Sequence, residues 1–318
     1  MNYSDLEILY LSPLMPDYLH DCTFLGLHEL GCNVVEFPRK PSLHGTPYTE
    51  LFRCDQLTFT LPENKLRKEN PDLIITAAKM PHENQEMIER LRTLKILHRK
   101  DPPVPMIVLD GLDWAHQEYP FGDYSYVFKR ELYEESEKMK SLSFCAIPEP
   151  FMFIPFKDRQ YDLSFVATSS HERRFKIAEY LKNVAPQKFG LNIFVYVEKQ
   201  PLPREEYLRV LSESRTSISM RGAGLDCYRY WEIASKGTVL ISEDLNPLLI
   251  KNDFLNRDHC FKFKYSEDMM ELERVLDDLK NYYFPEALQI MALNALRHTN
   301  NFHTPKNRAE YVLQKVLS

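Results

Sequence analysis

RTSISMRGAGLDCYRYWEIASKGTVLISED, running from Arg215 to Asp244, sets a strand, a turn, a helix and a second strand in one short stretch. Thr216-Ser217-Ile218-Ser219-Met220 alternates and carries β-branched residues, which predicts a strand. Arg221-Gly222-Ala223-Gly224-Leu225-Asp226 follows as a turn whose two glycines let the backbone approach a ligand closely. Tyr228 to Ser235 predicts a helix, stopped by Lys236-Gly237, a basic last turn plus a residue suited to the left-handed conformation. Thr238 to Ser242 is a short apolar run of the kind a buried parallel strand shows. Together these make one βαβ unit. Its helix start points unsatisfied N–H groups, and about half a positive charge, into the turn. That favours a phosphate or diphosphate, with Arg221 and Arg229 as bidentate partners. Glu232 lies one turn beyond Arg229 on the same face, placed to accept from a ribose or sugar hydroxyl pair. On pattern alone a second reading stays open: Arg229 and Glu232 as a surface ion pair, with glycines that merely turn the chain, since a lone GxG is weak evidence.

The run from Tyr207 through Asp244, with its YRYWEIASKGTVLISED core, resembles the donor-binding half of GT-B glycosyltransferases. It is most similar to the group that includes the CgeB-type spore-maturation proteins and, more remotely, the exostosin-like enzymes. The matching positions are Arg229, Trp231, Glu232 and Gly237. The resemblance implies that the aromatic-Glu pair and the Gly-ended helix grip the nucleotide part of a nucleotide-sugar. One departure stands out: where retaining enzymes of this fold often carry a second glutamate, eight positions before Glu232, this chain has Gly224. Stereochemistry is therefore open.

The first half predicts a Rossmann-like domain without a dinucleotide fingerprint. Leu6 to Leu11 reads as a strand, Cys22 to Leu30 as a helix ended by Gly31, and Asn33 to Phe37 as a second strand: the opening of a doubly wound sheet. The intervening Ser12-Pro13-Leu14-Met15-Pro16-Asp17 has no glycine, so this half is not expected to hold the nucleotide. Asp72 to Ala77 is the third strand. Glu83 to Leu97 predicts a helix whose polar side carries Arg90, Arg92, Lys95, His98, Arg99 and Lys100. It is either a solvated face or, with Lys65, Arg67 and Lys68, a footprint for an anionic acceptor.

Val104 to Leu109 reads as the fourth strand and ends in Asp110-Gly111-Leu112-Asp113-Trp114. Carboxylates at the carboxyl end of a parallel strand sit where such sheets bind ligands. Asp110 and Asp113 are the candidates for acceptor binding or general-base work, because a sugar hydroxyl needs its proton accepted; a turn or cap role is the alternative. Tyr126 to Phe128 is a further strand, followed by Lys129-Arg130. The DGLDW…YVFKREL run also resembles the CgeB-like group, where this segment faces the interdomain cleft. That resemblance assigns Asp113, Lys129 and Arg130 to the acceptor side, with neutralisation of Arg130 by Glu131 or Glu134 as the alternative.

Proline density from Pro148 to Arg159 marks a linker, and Tyr161 to Ala167 opens a second domain. Ser169, Ser170 and Arg173, at the start of a helix reaching about Lys182, supply what a diphosphate needs; plain Ser capping is the rival reading. Asn192 to Val197 is a strand and Arg204 to Ser214 a helix. After Asp244 come a strand at Phe261–Lys264, helices near residues 266–280 and 285–297, and a last helix with Thr304 as N-cap and Pro305 at its first position. In GT-B enzymes the final helix crosses back onto the first domain, which places His303 and Arg308 either near the cleft or as docking residues. The expected architecture is α/β: two Rossmann-like domains facing across a cleft, with an acceptor domain over 1–157, a donor domain over 158–300 and a returning helix over 301–318.

Composition bounds the partners. The chain has 318 residues, 44% of them hydrophobic, enough for two separate cores, and a net charge of −6 gives no global basic field for nucleic acid or anionic lipid. No run is long enough to span a bilayer, and MNYSDLEILYL lacks the order of a signal peptide, so a cytoplasmic location is expected. Cys22, Cys32, Cys54, Cys145, Cys227 and Cys260 form no CxxC pair and read as reduced. There is no HExxH, P-loop, GxSxG or Asp-x-Asp, and the histidines lack zinc spacing. No cofactor and no metal are expected. Arg173, Arg221 or Arg229 and helix-start amides would stabilise the leaving group. The resulting expectation is a metal-independent glycosyltransferase, hexosyl or pentosyl, taking a nucleotide-sugar, in the first instance a UDP-sugar, to an acceptor hydroxyl on a glycan, a protein or a modified base in DNA. An epimerase or hydrolase of the same fold, or a non-catalytic carbohydrate-binding or coat-associated protein, are the rivals.

Overall fold

A computed structural model describes residues 2–13, 17–37, 71–78, 104–114, 124–147, 149, 151–281 and 284–317. The expected basic helix from Glu83, with Arg90 to Lys100, Lys65, Arg67 and Lys68, lies outside the described residues, as do Pro148 and Pro150 of the expected linker. The chain forms two compact units. The first takes Met1–Glu149, Leu249–Lys251 and Thr304–Ser318, the second Pro150–Leu248 and Asn252–His303.

The first unit is built on a wholly parallel sheet in the order β2-β1-β3-β4-β5-β6: β1 (Glu7–Leu11), β2 (Asn33–Phe37), β3 (Leu73–Ala77), β4 (Met106–Asp110), β5 (Tyr126–Lys129) and β6 (Met139–Ser141). Ile8, Leu9, Ile74, Ile75, Ile107 and Val108 are all buried, as a strand covered on both faces requires. α1 (Tyr18–Glu29) starts earlier than its apolar pattern suggests, because the Asp17 side chain accepts from the His20 N–H at 3.1 Å and caps it. β6 escapes the sequence reading because Met139-Lys140-Ser141 carries too little apolar pattern; it is a short edge strand on β5.

The last helix of the chain, α8 (Pro305–Leu317), belongs to this first unit. Thr304 caps it, its Oγ1 accepting from the Asn307 N–H at 3.3 Å. Arg308 fastens it to the segment after β6, donating to the carbonyls of Ser143 (2.9 Å) and Phe144 (2.7 Å). α1 and α8 touch at Gly26, where an added Cβ would overlap the Pro305 carbonyl and come within 2.9 Å of Ala309 Cβ.

The second unit carries a parallel sheet in the order β11-β10-β9-β7-β8: β7 (Tyr161–Thr168), β8 (Ile193–Glu198), β9 (Ser214–Ser219), β10 (Val239–Glu243) and β11 (Cys260–Phe263). Its helices are α2 (Glu172–Asn183), α3 (Ala185–Phe189), α4 (Arg204–Ser212), α5 (Tyr228–Ser235), α6 (Met270–Asn281) and α7 (Pro285–Phe302). Leu163, Phe165, Ile218, Ile241, Phe261 and Leu276 meet in one core. α5 has the expected bounds, and Gly237 beyond it takes a left-handed φ of 63°. α6 starts later than expected because Met269 also turns left-handed (φ 57°), which breaks the run from Ser266.

Gly26→Val is expected to destabilise the chain by about 3 kcal/mol, read as a lowered urea midpoint; an unchanged midpoint would remove the close helix crossing.

Candidate functional site

Each sheet reverses its winding beside its first strand: β1 lies between β2 and β3, and β7 between β8 and β9. Parallel sheets receive ligands outside the carboxyl ends of strands at such a reversal. In the second unit the reversal selects two loops, 169–171 after β7 and 220–227 after β9. Ser169, Ser170, Arg221, Gly222 and Gly224 lie on them, while Arg173 and Arg229 stand in the first turns of the helices that follow.

What holds the two loops together is a residue the sequence reading passed over. Arg174 is buried, and it donates to the main-chain carbonyls of Thr168 (3.0 Å), Met220 (3.0 Å) and Arg221 (2.9 Å) and to Ser170 Oγ (2.9 Å). One guanidinium therefore ties the end of β7 to the end of β9. A Cβ on Gly222 would come within 3.0 Å of Arg174 Nη2, so this glycine makes room for the tie. The Gly222 N–H turns back to the Gly224 carbonyl at 3.0 Å. Burial, and next the nearby charge of Arg229, hold the Arg174 pKa below the usual arginine value. A spacing signal was present: Arg174, Ile177, Ala178 and Leu181 form one helical stripe, and all four are buried.

Arg229 is only 5% exposed. Its guanidinium lies over the Tyr228 ring, 5.5 Å from the centroid, and no hydrogen bond or ion pair reaches it among the described residues. Its Nε is fully buried without a partner. Burial works against its charge, yet the fields of Tyr207, Tyr228, Cys227 and Glu232 outweigh burial and raise its pKa. α5 itself starts without a side-chain cap and with no acid in its first turn. Arg221 Nε is likewise buried and unpartnered, and Nη2 reaches only the Ala223 carbonyl at 3.4 Å.

Glu232 is buried but does not pair with Arg229. Its Oε1 accepts from Arg204 Nη1 at 2.6 Å and its Oε2 from the Tyr207 hydroxyl at 3.4 Å. Arg204 and Tyr207 come from α4, a long-range meeting that no local pattern announces. Arg173 pairs with Glu243 at the end of β10 and stacks over Tyr265 at 4.6 Å. The α2 cap is His171, whose Nδ1 accepts from the Arg173 N–H at 3.2 Å, rather than Ser169 or Ser170. Ser169 spends its N–H on the Glu198 carbonyl at 2.8 Å.

In the first unit the sequence candidates fare differently. Asp110 and Lys129 are fully buried and pair at 2.5 Å, while the second Asp110 oxygen accepts from the Leu112 N–H at 2.9 Å. A carboxylate sealed in this way cannot take a proton from an acceptor, so Asp110 is a structural anchor and Lys129 its counter-ion. Arg130, also buried, is spent on Asp113, Glu131 (3.2 Å) and the Gly111 carbonyl (3.1 Å). Of this group Asp113 alone keeps access to solvent, with a side chain 41% exposed. His303 is buried in the second unit, against Trp231 (ring centroids 4.6 Å apart) and 2.8 Å from the Asn252 carbonyl, where it packs against α5. Among the described residues no group of three or more His, Cys, Asp or Glu side chains could hold a metal ion. No helix among them is long and apolar enough to cross a membrane.

Arg174→Met leaves one buried and two part-buried carbonyls without this donor, and an expected loss of about 2 kcal/mol follows. Urea unfolding checks it; a loss under about 0.5 kcal/mol would show that the loops hold without the tie.

No protein-family model matches the sequence, and no curated protein matches it. Solved structures do. A glycosyltransferase from Rickettsia africae ESF-5 superposes with a TM-score of 0.61 at 10% identity, over 96% of each chain. Anabaena Alr3699/HepE in complex with UDP superposes at 0.53 and 10% identity, over 98% of this chain and 100% of that one. TarM gives 0.51 at 9% identity over 79% of this chain, which spans 56% of TarM. Likeness at this identity speaks to architecture, and with two parallel α/β units and a last helix that returns to the first, the chain has the GT-B fold of glycosyltransferases.

Proposed function

We propose that the chain is a glycosyltransferase that holds a UDP-sugar in its second unit and passes the sugar, without a divalent metal, to an acceptor hydroxyl in the cytoplasm. The observation that carries this reading is Arg229. A guanidinium kept charged, nearly sealed from water and left without an acceptor is costly to the free protein. It stands at the uncapped start of α5, beside the loops that the sheet reversal selects. A diphosphate satisfies both needs, supplying acceptors to the guanidinium and negative charge to the helix start.

The chemistry follows from where charge develops. As the bond between sugar and diphosphate breaks, the leaving oxygen gains negative charge, and fixed cations and amides aimed at it lower the barrier. Arg229 and Arg221, with the α5 start, would meet that charge. Glu232, held by Arg204 and Tyr207, would turn its remaining lone pairs to the ribose hydroxyls. Asp113, the one carboxylate of the Asp110–Glu131 cluster that keeps access to solvent, is proposed as the base that accepts the acceptor proton. The residue range 158–300 is accordingly proposed as the donor domain, 1–157 as the acceptor domain and 301–318 as the helix that returns to it. HepE, of the same fold, has been crystallised with UDP-glucose and with UDP.

Isothermal titration of the full chain with UDP tests the donor site. UDP should bind the wild type, and Arg229→Met should weaken it about 10- to 100-fold without lowering the urea midpoint of the free protein. A wild type that gives no heat with UDP or UDP-glucose ends the reading. For the metal, UDP affinity in EDTA should equal that in Mn²⁺; binding that needs Mn²⁺ would overturn metal independence while leaving the fold assignment untouched. Turnover of a UDP-sugar at full rate without any acceptor would replace transfer with hydrolysis.

A further inference from the structure

The cations of the donor loops are not all waiting for a ligand. Glu243 ends β10 with its carboxylate buried, and both of its oxygens are used: Oε1 pairs with Arg173, and Oε2 accepts the Arg221 main-chain N–H at 3.3 Å. The first donor follows the loop after β7, and the second opens the loop after β9. A carboxylate bridging a guanidinium and an amide presents two oxygens and a negative charge, which is how a phosphate would engage the same donors. The arm that reaches it is of an adjustable kind: Arg173 lies over the Tyr265 ring with its side chain 36% exposed. The surroundings are otherwise positive. Burial and then Arg221, Arg173 and Arg174 push the His171 pKa down, and Glu243 is the acid that pulls it the other way.

We infer that Glu243 is an internal stand-in for the anionic ligand: it occupies Arg173 and the Arg221 amide in the free protein, is displaced from them by a diphosphate, and so sets how much negative charge a ligand must bring. This rests on the donor-site reading above and extends it to specificity. A monophosphate, with about −1.5 to −2 charges on one group, has only a modest advantage over the resident carboxylate; a diphosphate brings more charge and a second set of acceptor oxygens. Glu243 therefore selects for nucleoside diphosphates over monophosphates, at the expense of absolute affinity, and it releases its donors only when the ligand arrives.

The test compares UDP and UMP binding to wild type, Glu243→Gln and Glu243→Asp by isothermal titration, with the fold of each variant checked by circular dichroism. The amide keeps the shape of Glu243 and removes its charge. On this inference Glu243→Gln binds UDP about tenfold more tightly than wild type. It gains still more for UMP, so the UDP-to-UMP preference shrinks. Its melting temperature without ligand falls, and its rise on adding UDP is larger than in wild type. Glu243→Asp, which draws the carboxylate back by one methylene, lies between the two and serves if the amide variant does not fold. If wild type binds UDP and neither variant binds it more tightly, Glu243 is a support for the loops and the inference is overturned. If wild type binds no nucleoside diphosphate at all, the donor-site reading itself falls and takes this inference with it.

Discussion

The structure depends on a guanidinium that serves no carboxylate. Arg174 gives its hydrogens to three main-chain carbonyls and a serine hydroxyl at the ends of two adjacent strands. Strand ends are where backbone acceptors run out of ladder partners, and leaving them buried and unpaired is costly. A planar donor with several N–H groups can satisfy many of them at once, which an ammonium on a flexible stem does less well. Because Arg174 takes only neutral acceptors, its positive charge stays uncompensated beside Arg229, and the two together bias the loops toward an anion.

The two sheets share a winding pattern but differ in what stands at their carboxyl ends. Among the described residues of the first unit the charges at the end of β4 and β5 are paired: Asp110 with Lys129, and Arg130 with Asp113 and Glu131. In the second, Arg174 and Arg229 have no carboxylate partner of their own among the described residues, and the Arg221 guanidinium bonds only a carbonyl there. Topology offers a ligand crevice in both, and electrostatics distinguishes them. This is why the second unit is the one proposed for the nucleotide, in keeping with the absence of glycine between β1 and α1.

Local signals carried most of the fold. Apolar runs such as Ile8–Leu11 and Val239–Ile241, and the stop at Gly237, could be read directly because each depends on residues within a few positions of one another. What escaped reading depended on distance along the chain. Nothing near Asp110 reveals that Lys129 seals it, nor near Glu232 that Arg204 and Tyr207 hold it. A carboxylate at a strand end looks the same in sequence whether it faces water or a buried lysine. The pairing of His303 with Trp231 and Asn252 is of the same kind. Arg174 is the exception, since its helical stripe with Ile177, Ala178 and Leu181 is legible in the sequence.

Arg229 and Arg173 illustrate two ways of keeping a cation near a site before its ligand comes. Arg173 is paired, so the free protein gains from it and the ligand must compete. Arg229 is unpaired, so the free protein bears the cost of burial and the ligand meets no rival. The unpaired form is tolerable here because the ring of Tyr228 and the fields of Tyr207, Cys227 and Glu232 outweigh the desolvation without capturing the guanidinium's N–H groups. Compensation through fields rather than hydrogen bonds keeps the charge and leaves the hydrogen bonds open. A fully paired Arg229 would make a more stable loop and a weaker anion site, and the geometry around α5 has taken the other course.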